Sequence, residues 1–484
     1  MSSAPRIPEL VADGSVTRRL GDLFSGAGYQ LWLVGGPVRD YFLNRDTVDL
    51  DFATDAKPSE MLSVLRPVAQ QLWMQGVAFG TIGALVDAAR VEITTYREEW
   101  YPEDSRKPEV HFARDIASDL TRRDFTVNAI AVRAVDGEVF DPTEGLVDLR
   151  QKLLRTPASP EQSFTDDPLR MLRACRFASS LGFTVADEVL DAITRMRERM
   201  AIVSRERVRD ELSKLVVGDH ASKGLELLVA TELAEHVVPE LPALAMEQDP
   251  IHKHKDVLRH TFAVVDGMAP TLVGRLAALF HDIAKPQTRE IGPEGVSFHH
   301  HEVVGARMTD KRLKELRYPN AIVDDVRTLV ALHLRFHTFR LGWTDAAVRR
   351  YVRDAGHLLD ALNSLVRADC TTRNKAKAKE LQDRMDALEA RIAELTEREE
   401  LSKIRPPLDG HDVIAFFDLR PSRTVGEALT FLTELRLDRG PMGRKEAFAE
   451  LEAWAAQRDL TPARSIEEAT ALAEAARAAA ADES

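Results

Sequence analysis

The sequence predicts an α+β head followed by an elongated all-α body. Three observations carry that expectation. Leu31 to Thr54, LWLVGGPVRDYFLNRDTVDLDFAT, sets two short apolar strands around a paired-glycine turn and the start of a helix. Gly80 to Val86 and Val91 to Tyr96 alternate apolar and polar residues, as strands do. Beyond them, apolar residues recur at helical spacing in 201–217 and in the long charged stretch after Thr372. At 484 residues the chain exceeds one compact core, so about three or four domains are expected.

Taken in order, residues up to about Gly28 read as an amphipathic helix with Val16, Leu20, Leu23 and Phe24 at helical spacing. Leu31, Leu33 and Val34 make a buried strand, Gly35 and Gly36 a turn, and Pro37 to Leu43 the start of a helix. A second strand runs from Val48 to Ala53, and its period of two sends Asp49 and Asp51 to one face. Two hard oxygen ligands there can hold Mg²⁺, which takes one or two carboxylates plus substrate phosphate. The glycines let a phosphate approach backbone N–H groups, and Arg39 offers a charged fork for its oxygens. Alone, paired glycines are an ordinary turn and Asp-x-Asp a solvated strand edge. In this order and spacing they suit metal-assisted phosphoryl or nucleotidyl transfer.

A helix over Pro58 to Arg66 precedes the two later strands, and on the last of these Glu92 reads either as a third carboxylate near the metal site or, more simply, as an exposed strand residue. Trp100 to Phe112 is polar, carries two prolines and reads as a mobile loop. In Asp119 to Val132, Arg122, Arg123 and Asp124 cluster at the lip of a buried element, where an arginine pair can hold a triphosphate or a ribose edge. Ser163 to Phe183 reads as one helix begun by Thr165, with Asp167 and Arg170 as neighbours on it. Such a pair can read a nucleobase: the carboxylate accepts from an amino group while the guanidinium donates to a ring nitrogen or carbonyl. A surface ion pair would have the same spacing. Arg173 and Arg176 continue the row, but each three-residue step drifts about sixty degrees around a straight helix. They are therefore expected nearer phosphate or protein carboxylates. Residues 201–217 open a helix at Ser204, whose Glu206, Arg207, Arg209 and Glu211 are expected to brace the base-reading helix.

GGPVRD followed by DLDFAT resembles the head motif of the class II tRNA nucleotidyltransferase family, the CCA-adding enzymes and bacterial poly(A) polymerases, which has a polymerase-β-like head. RRDFTVNA matches the family motif for ribose and triphosphate contacts, with Arg123 and Asn128 in place. DDPLR resembles the family's ED-x-x-R template for choosing C or A, with Asp166 where the family has Glu. Asp104, Arg106 and Pro108 match the core of a loop that CCA-adding enzymes use for the final A. The resemblance implies template-independent addition of C, C and A to the tRNA 3′ end from CTP and ATP. It makes Asp49 and Asp51 catalytic ligands of two Mg²⁺ ions, and assigns nucleotide binding to Gly35, Gly36, Arg39, Arg123, Asn128, Asp167, Arg170, Arg173 and Arg176. A poly(A) polymerase or a partial adder of CCA keeps that chemistry and changes the product.

Histidines concentrate after about His236. His260, the pair His281-Asp282 and Asp369 stand on separate apolar segments, an order that resembles the HD phosphohydrolase superfamily. Imidazole and carboxylate together suit a divalent transition metal. His301 and His333 fall where some HD proteins hold a second metal. The resemblance implies hydrolysis of phosphomonoesters or cyclic phosphates at RNA ends, with a vestigial or structural domain as the rival reading. A hydrolase whose head merely binds RNA is the alternative of a different class. The expected divisions are a nucleotidyltransferase head at 1–150, a helical neck with the base-recognition motif at 151–235, an HD domain at 236–375, and a helical tRNA-contacting region and tail at 376–484.

A net charge of -13 argues against nucleic-acid binding through bulk charge, so RNA contact must use a local basic surface. Arg420, Arg423, Arg436, Arg444 and Lys445 could supply one near the C-terminal end. No DNA or membrane partner is expected: no apolar run approaches a bilayer span, and the first residues lack the order of a signal peptide. Two cysteines are too few for a disulfide framework, which fits a reducing cytoplasm.

Overall fold

The computed structural model describes residues 6–46, 49–100, 109–112, 115–246, 256–292, 295–341, 343–370, 375–399 and 405–482. The chain divides into two compact units, one of residues 1–299 with 308–323 and one of residues 300–307 with 324–484.

The first unit opens with helix α1 (Val16–Gly26), capped by the Ser15 side chain accepting from Arg18 N–H, with Leu20 and Phe24 buried. Strands β1 (Leu31–Val34) and β2 (Asp49–Thr54) flank helix α2 (Gly36–Phe42), and α3 (Pro58–Leu65) leads to β3 (Gln71–Trp73), β4 (Thr81–Val86) and β5 (Ala89–Thr95). Beyond the pair β6 (Arg97–Trp100) and β7 (Glu109–Phe112) come α4 (Ile116–Thr121), β8 (Ala131–Arg133) and β9 (Val139–Phe140). The main sheet has the order β3-β4-β5-β2-β1-β8-β9, with β2 parallel to β5 and the other neighbours antiparallel. β1 lies inside the sheet and is buried along its whole length. On one sheet face Ile82, Ala84, Val86, Val91 and Ile93 go into the core. The period of two leaves Asp49, Asp51, Arg90 and Glu92 on the other.

Two differences from the sequence expectations appear here. The segment read as a loop from Trp100 to Phe112 has paired strands at both ends, β6 against β7; Asp104, Arg106 and Pro108 lie outside the described residues. The single helix expected over 163–183 is two helices, α5 (Pro160–Asp166), capped by Ser159 rather than Thr165, and α6 (Leu169–Leu181). Pro168 disfavours helical geometry at the residue before it, and Asp167 is extended, φ -147° and ψ 102°. Asp167 therefore caps one helix instead of riding on the next. Helix α7 (Arg205–Val216) begins at Ser204, whose hydroxyl accepts from Arg207 N–H. The unit goes on through helices that include Val257–Gly267 and Leu272–Phe280, and a hairpin of Arg289–Gly292 with Gly295–Phe298.

The second unit is helical among its described residues. Its 25-residue helix Lys375–Glu399 buries Met385, Leu388, Ile392 and Leu395 along one stripe, as the apolar spacing predicts. Arg349 and Glu399 form a buried two-pronged ion pair at 2.7 and 2.9 Å. Near the C-terminal end Phe416, Phe448 and Trp454 centre an apolar core. Arg436 faces Glu399 and Arg444 faces Asp412, so these two expected sources of surface charge are engaged within the protein.

Candidate active site

β2 and β5 set the chemistry. Their parallel register puts Asp51 directly opposite Glu92, and Asp49 opposite Arg90. Asp49 and Asp51 are two apart on one strand, so three carboxylates share a face. Burial pushes the Asp51 pKa up to about 6; the charges of Glu92 and Asp49 act in the same direction, and Arg123 opposes them. Glu92 is an exposed strand residue, as the simpler sequence reading has it, and also stands in this cluster, as the other has it. Its parity along the strand was legible, but the register that aligns it with Asp51 was not.

Gly35 closes the cluster from the side. Its φ of +74° is strained for any residue with a Cβ, and a Cβ there would stand 3.0 Å from Arg123 Nη1 and 3.9 Å from Asp51 Oδ2. The empty Cβ position thus leaves a recess between a guanidinium and the Asp51 carboxylate, of the kind a phosphate fills. Arg123 is aimed by Asp119, which accepts from Arg123 Nη2 at 3.1 Å and from Arg122 Nη2 at 2.7 Å. Burial of Asp119 works against its ionisation, but the two arginines outweigh it and hold the carboxyl below its usual range.

Arg39 is engaged inside the protein. It donates to both oxygens of Asp40 at 2.9 Å and to Asn128 Oδ1 at 2.8 Å. Asn128 in turn donates to Asp124. Gly36 starts α2 beside this pair, 3.7 Å from Arg39 Nη2 by its Cβ position. Asp124 is buried rather than solvated at a lip, because Arg173 reaches it with Nε at 2.8 Å and Nη2 at 2.5 Å. Burial opposes ionisation of Asp124, yet Arg173 and Asn128 hold its pKa well below the usual carboxylate range.

A cleft of about 830 Å³ joins these parts to the neck, with Asp51, Glu92 and Arg123 on the sheet side and Asp167, Arg170, Arg173 and Arg207 on the helical side. Asp167 accepts from Arg207 Nη2 at 2.7 Å and from Leu169 N–H at 3.1 Å. Arg170 donates to Ser163 Oγ at 3.0 Å and to the Arg122 carbonyl at 2.5 Å, tying the neck to the head motif. Arg173 also approaches Glu211 at 3.4 Å. Arg176 stacks 3.7 Å over the Phe177 ring and pairs with Glu211 at 3.2 Å. Of the residues expected to brace the base-reading helix, Arg207 and Glu211 touch its polar row, while Glu206 faces Arg317 and Arg209 faces Asp210.

The histidine motif has parts in each unit. In the first, Asp282 Oδ2 lies 3.2 Å from His281 Nε2, 3.8 Å from His260 Nε2 and 2.7 Å from Lys285 Nζ. His281 Nδ1 sits 2.8 Å from the Ala278 carbonyl, which can only accept, so Nδ1 donates there and Nε2 is the ring nitrogen turned to Asp282. In the second unit the buried His301 and His333 rings stand 5.3 Å apart, and His333 Nδ1 meets the Val330 carbonyl in the same manner at 2.7 Å. Asp369 Oδ2 lies 3.9 Å from His337 Nε2.

Residues 31–155 match the poly A polymerase head domain, 182–244 a segment described as a probable RNA and SrmB-binding site of polymerase A, and 267–400 the HD domain. The chain is 39% identical over 227 residues to a CCA-adding enzyme of Anoxybacillus flavithermus, a match covering 47% of this chain and 55% of that one. It spans about half the length of the curated relatives it matches. A Bacillus stearothermophilus CCA-adding enzyme, solved in complex with CTP, superposes with a TM-score of 0.65 at 25% identity, covering 91% of this chain and 98% of that one. A Thermotoga maritima CCA-adding enzyme complexed with tRNA shares the fold with a TM-score of 0.57 at 17% identity, covering 94% and 100%. Among the described residues no helix is long and apolar enough to cross a membrane.

Proposed function

We propose that this chain, whose segments match a poly A polymerase head, a probable RNA-binding site of polymerase A and an HD domain, is a template-independent enzyme that adds C, C and A to the 3′ end of tRNA, using CTP and ATP in the cytoplasm. The observation that carries the reading is the carboxylate row of Asp49, Asp51 and Glu92 beside Gly35 and Arg123, with Asp167 across the cleft. An all-oxygen donor set whose members repel one another suits a hard divalent cation, and Mg²⁺ fits it. When bound there, the ion would supply positive charge to the triphosphate and acidify the RNA 3′-hydroxyl.

The chain's own residues do the positioning. Arg123, aimed by Asp119, offers charge to phosphate oxygens at the Gly35 recess. Cytosine and adenine each present an exocyclic amino donor beside a ring-nitrogen acceptor, whereas guanine and uracil present a carbonyl beside an N–H. The Asp167 carboxylate and the Arg170 guanidinium, which line the same cleft, together complement the first pattern. Arg207 holds Asp167 in place, and Arg173 holds Asp124, which fixes Asn128 and through it Arg39.

A tRNA lacking its CCA end, supplied with CTP and ATP separately and together, tests this reading. Two C additions with CTP alone and a single terminal A when both are present are expected. Unlimited A addition would instead make the chain a poly(A) polymerase, and arrest after C or after A a partial adder. For the histidine motif we propose ligation of a divalent transition metal and hydrolysis of phosphate esters at RNA ends. Asp49→Ala should abolish incorporation and leave any phosphate release intact; loss of both would remove the separate hydrolase.

A further inference from the structure

One wall of the cleft has no part in the nucleotide reading above. It is formed by β3, the turn after it and β4, at the far edge of the sheet. Trp73, Gly83, Glu92 and Asp51 stand directly opposite one another across four successive strands. Opposed residues share a sheet face, so Trp73 is on the same face as the carboxylates. With strands about 4.8 Å apart, its backbone lies about 10 Å from that of Glu92. Gly83 gives the indole room: a Cβ at Gly83 would come within 3.2 Å of Trp73 Cε3. The Arg90 guanidinium stacks 5.2 Å from the indole centroid, and Phe79, 49% exposed, lines the same wall.

The reaction needs two substrates, one on each side of the carboxylates. The triphosphate takes the Gly35 and Arg123 side and the incoming base takes Asp167 and Arg170. The RNA terminus must bring its 3′-hydroxyl from what is left. Its last base also changes with each addition, so a hydrogen-bonding pocket tuned to one base would fail in the next round. A π face accepts any base, and a neighbouring arginine adds stacking and charge for the strand's phosphate.

We infer that Trp73, Phe79 and Arg90 form a stacking platform for the terminal base of the single-stranded RNA end, aligning its 3′-hydroxyl with Asp49, Asp51 and Glu92. The inference rests on the nucleotidyltransferase reading and adds to it the site of the second substrate. The test is addition of A to an acceptor-stem minihelix ending in CC, followed by steady-state kinetics. Trp73→Ala and Phe79→Ala should each raise KM for the minihelix about tenfold, the range expected for one lost base stack. KM for ATP should stay within about twofold, because the nucleotide side of the cleft is untouched. Trp73→Phe and Phe79→Tyr should restore KM, because they keep an aromatic face, whereas Phe79→Leu should not. Phe79 is half exposed, so its variants keep the test valid if Trp73→Ala weakens the edge strand. An unchanged KM for RNA in the Phe79 variants, or a rise in KM for ATP instead, would overturn the platform. Wild-type protein that incorporates no nucleotide would overturn the parent reading, a separate and visible failure.

Discussion

Arg207 donates to Asp167 across 2.7 Å, joining α7 to the break between α5 and α6. The contact holds the carboxylate that would meet the amino group of an incoming base. Arg207→Ala should raise KM for CTP and ATP and weaken discrimination against UTP and GTP about tenfold, the scale of one charge-assisted hydrogen bond. Misincorporation measured with each nucleotide alone checks this. Unaltered selectivity would reduce Arg207 to a surface contact.

Glu92 faces Asp51 in register and completes the oxygen set. Glu92→Gln keeps the shape and removes a charge. Activity at low Mg²⁺ should drop about 10- to 100-fold and recover partly as Mg²⁺ is raised. Chelation by EDTA should silence incorporation in wild type altogether. An identical Mg²⁺ titration for the variant would take Glu92 out of the site.

Gly35→Ala combines two penalties. Its φ of +74° costs about 1–3 kcal/mol for a residue with a side chain, and the new methyl would press on Arg123 Nη1 at 3.0 Å. We expect kcat/KM for nucleotide to fall at least about tenfold, with the loss larger than that caused by Gly36→Ala. Equal, small effects of the two changes would remove the phosphate recess.

Asp124 stabilises the protein through Arg173 and Asn128, and its pKa is depressed in the folded state. A depressed carboxylate contributes stability that is present above the unfolded pKa of about 3.9 and is lost as pH falls through the folded value. Asp124→Asn should therefore cost about 2–3 kcal/mol at neutral pH, and the gap from wild type should narrow below about pH 4. Urea denaturation at pH 7 and at lower pH measures both. A constant gap would mean that charge plays no part.

Local signals were legible in the chain. Ser204 caps its helix as the sequence suggests, and the period of two brought Asp49 and Asp51 to one face. What the sequence hid depends on partners distant along it. Glu92 joins Asp51 only through strand register, and Asp124 is buried because an arginine 49 residues away meets it. The break at Asp167 was written in Pro168, but acidic residues beside Thr165 offered a competing helix start. Trp73 carries no motif, and only the sheet order brings it to the carboxylates' face; Phe79 reaches the same cleft from the turn before β4.

Arg122 and Arg123 already share a carboxylate of the protein, Asp119. A polyanion arriving at the Gly35 recess must thus compete with that carboxylate for both guanidinium groups. Orthophosphate or a nucleoside monophosphate gains little from such an exchange, whereas a triphosphate repays several displacements at once. A strongly acidic chain can in this way keep a cationic grip in reserve without advertising it to every small anion in solution.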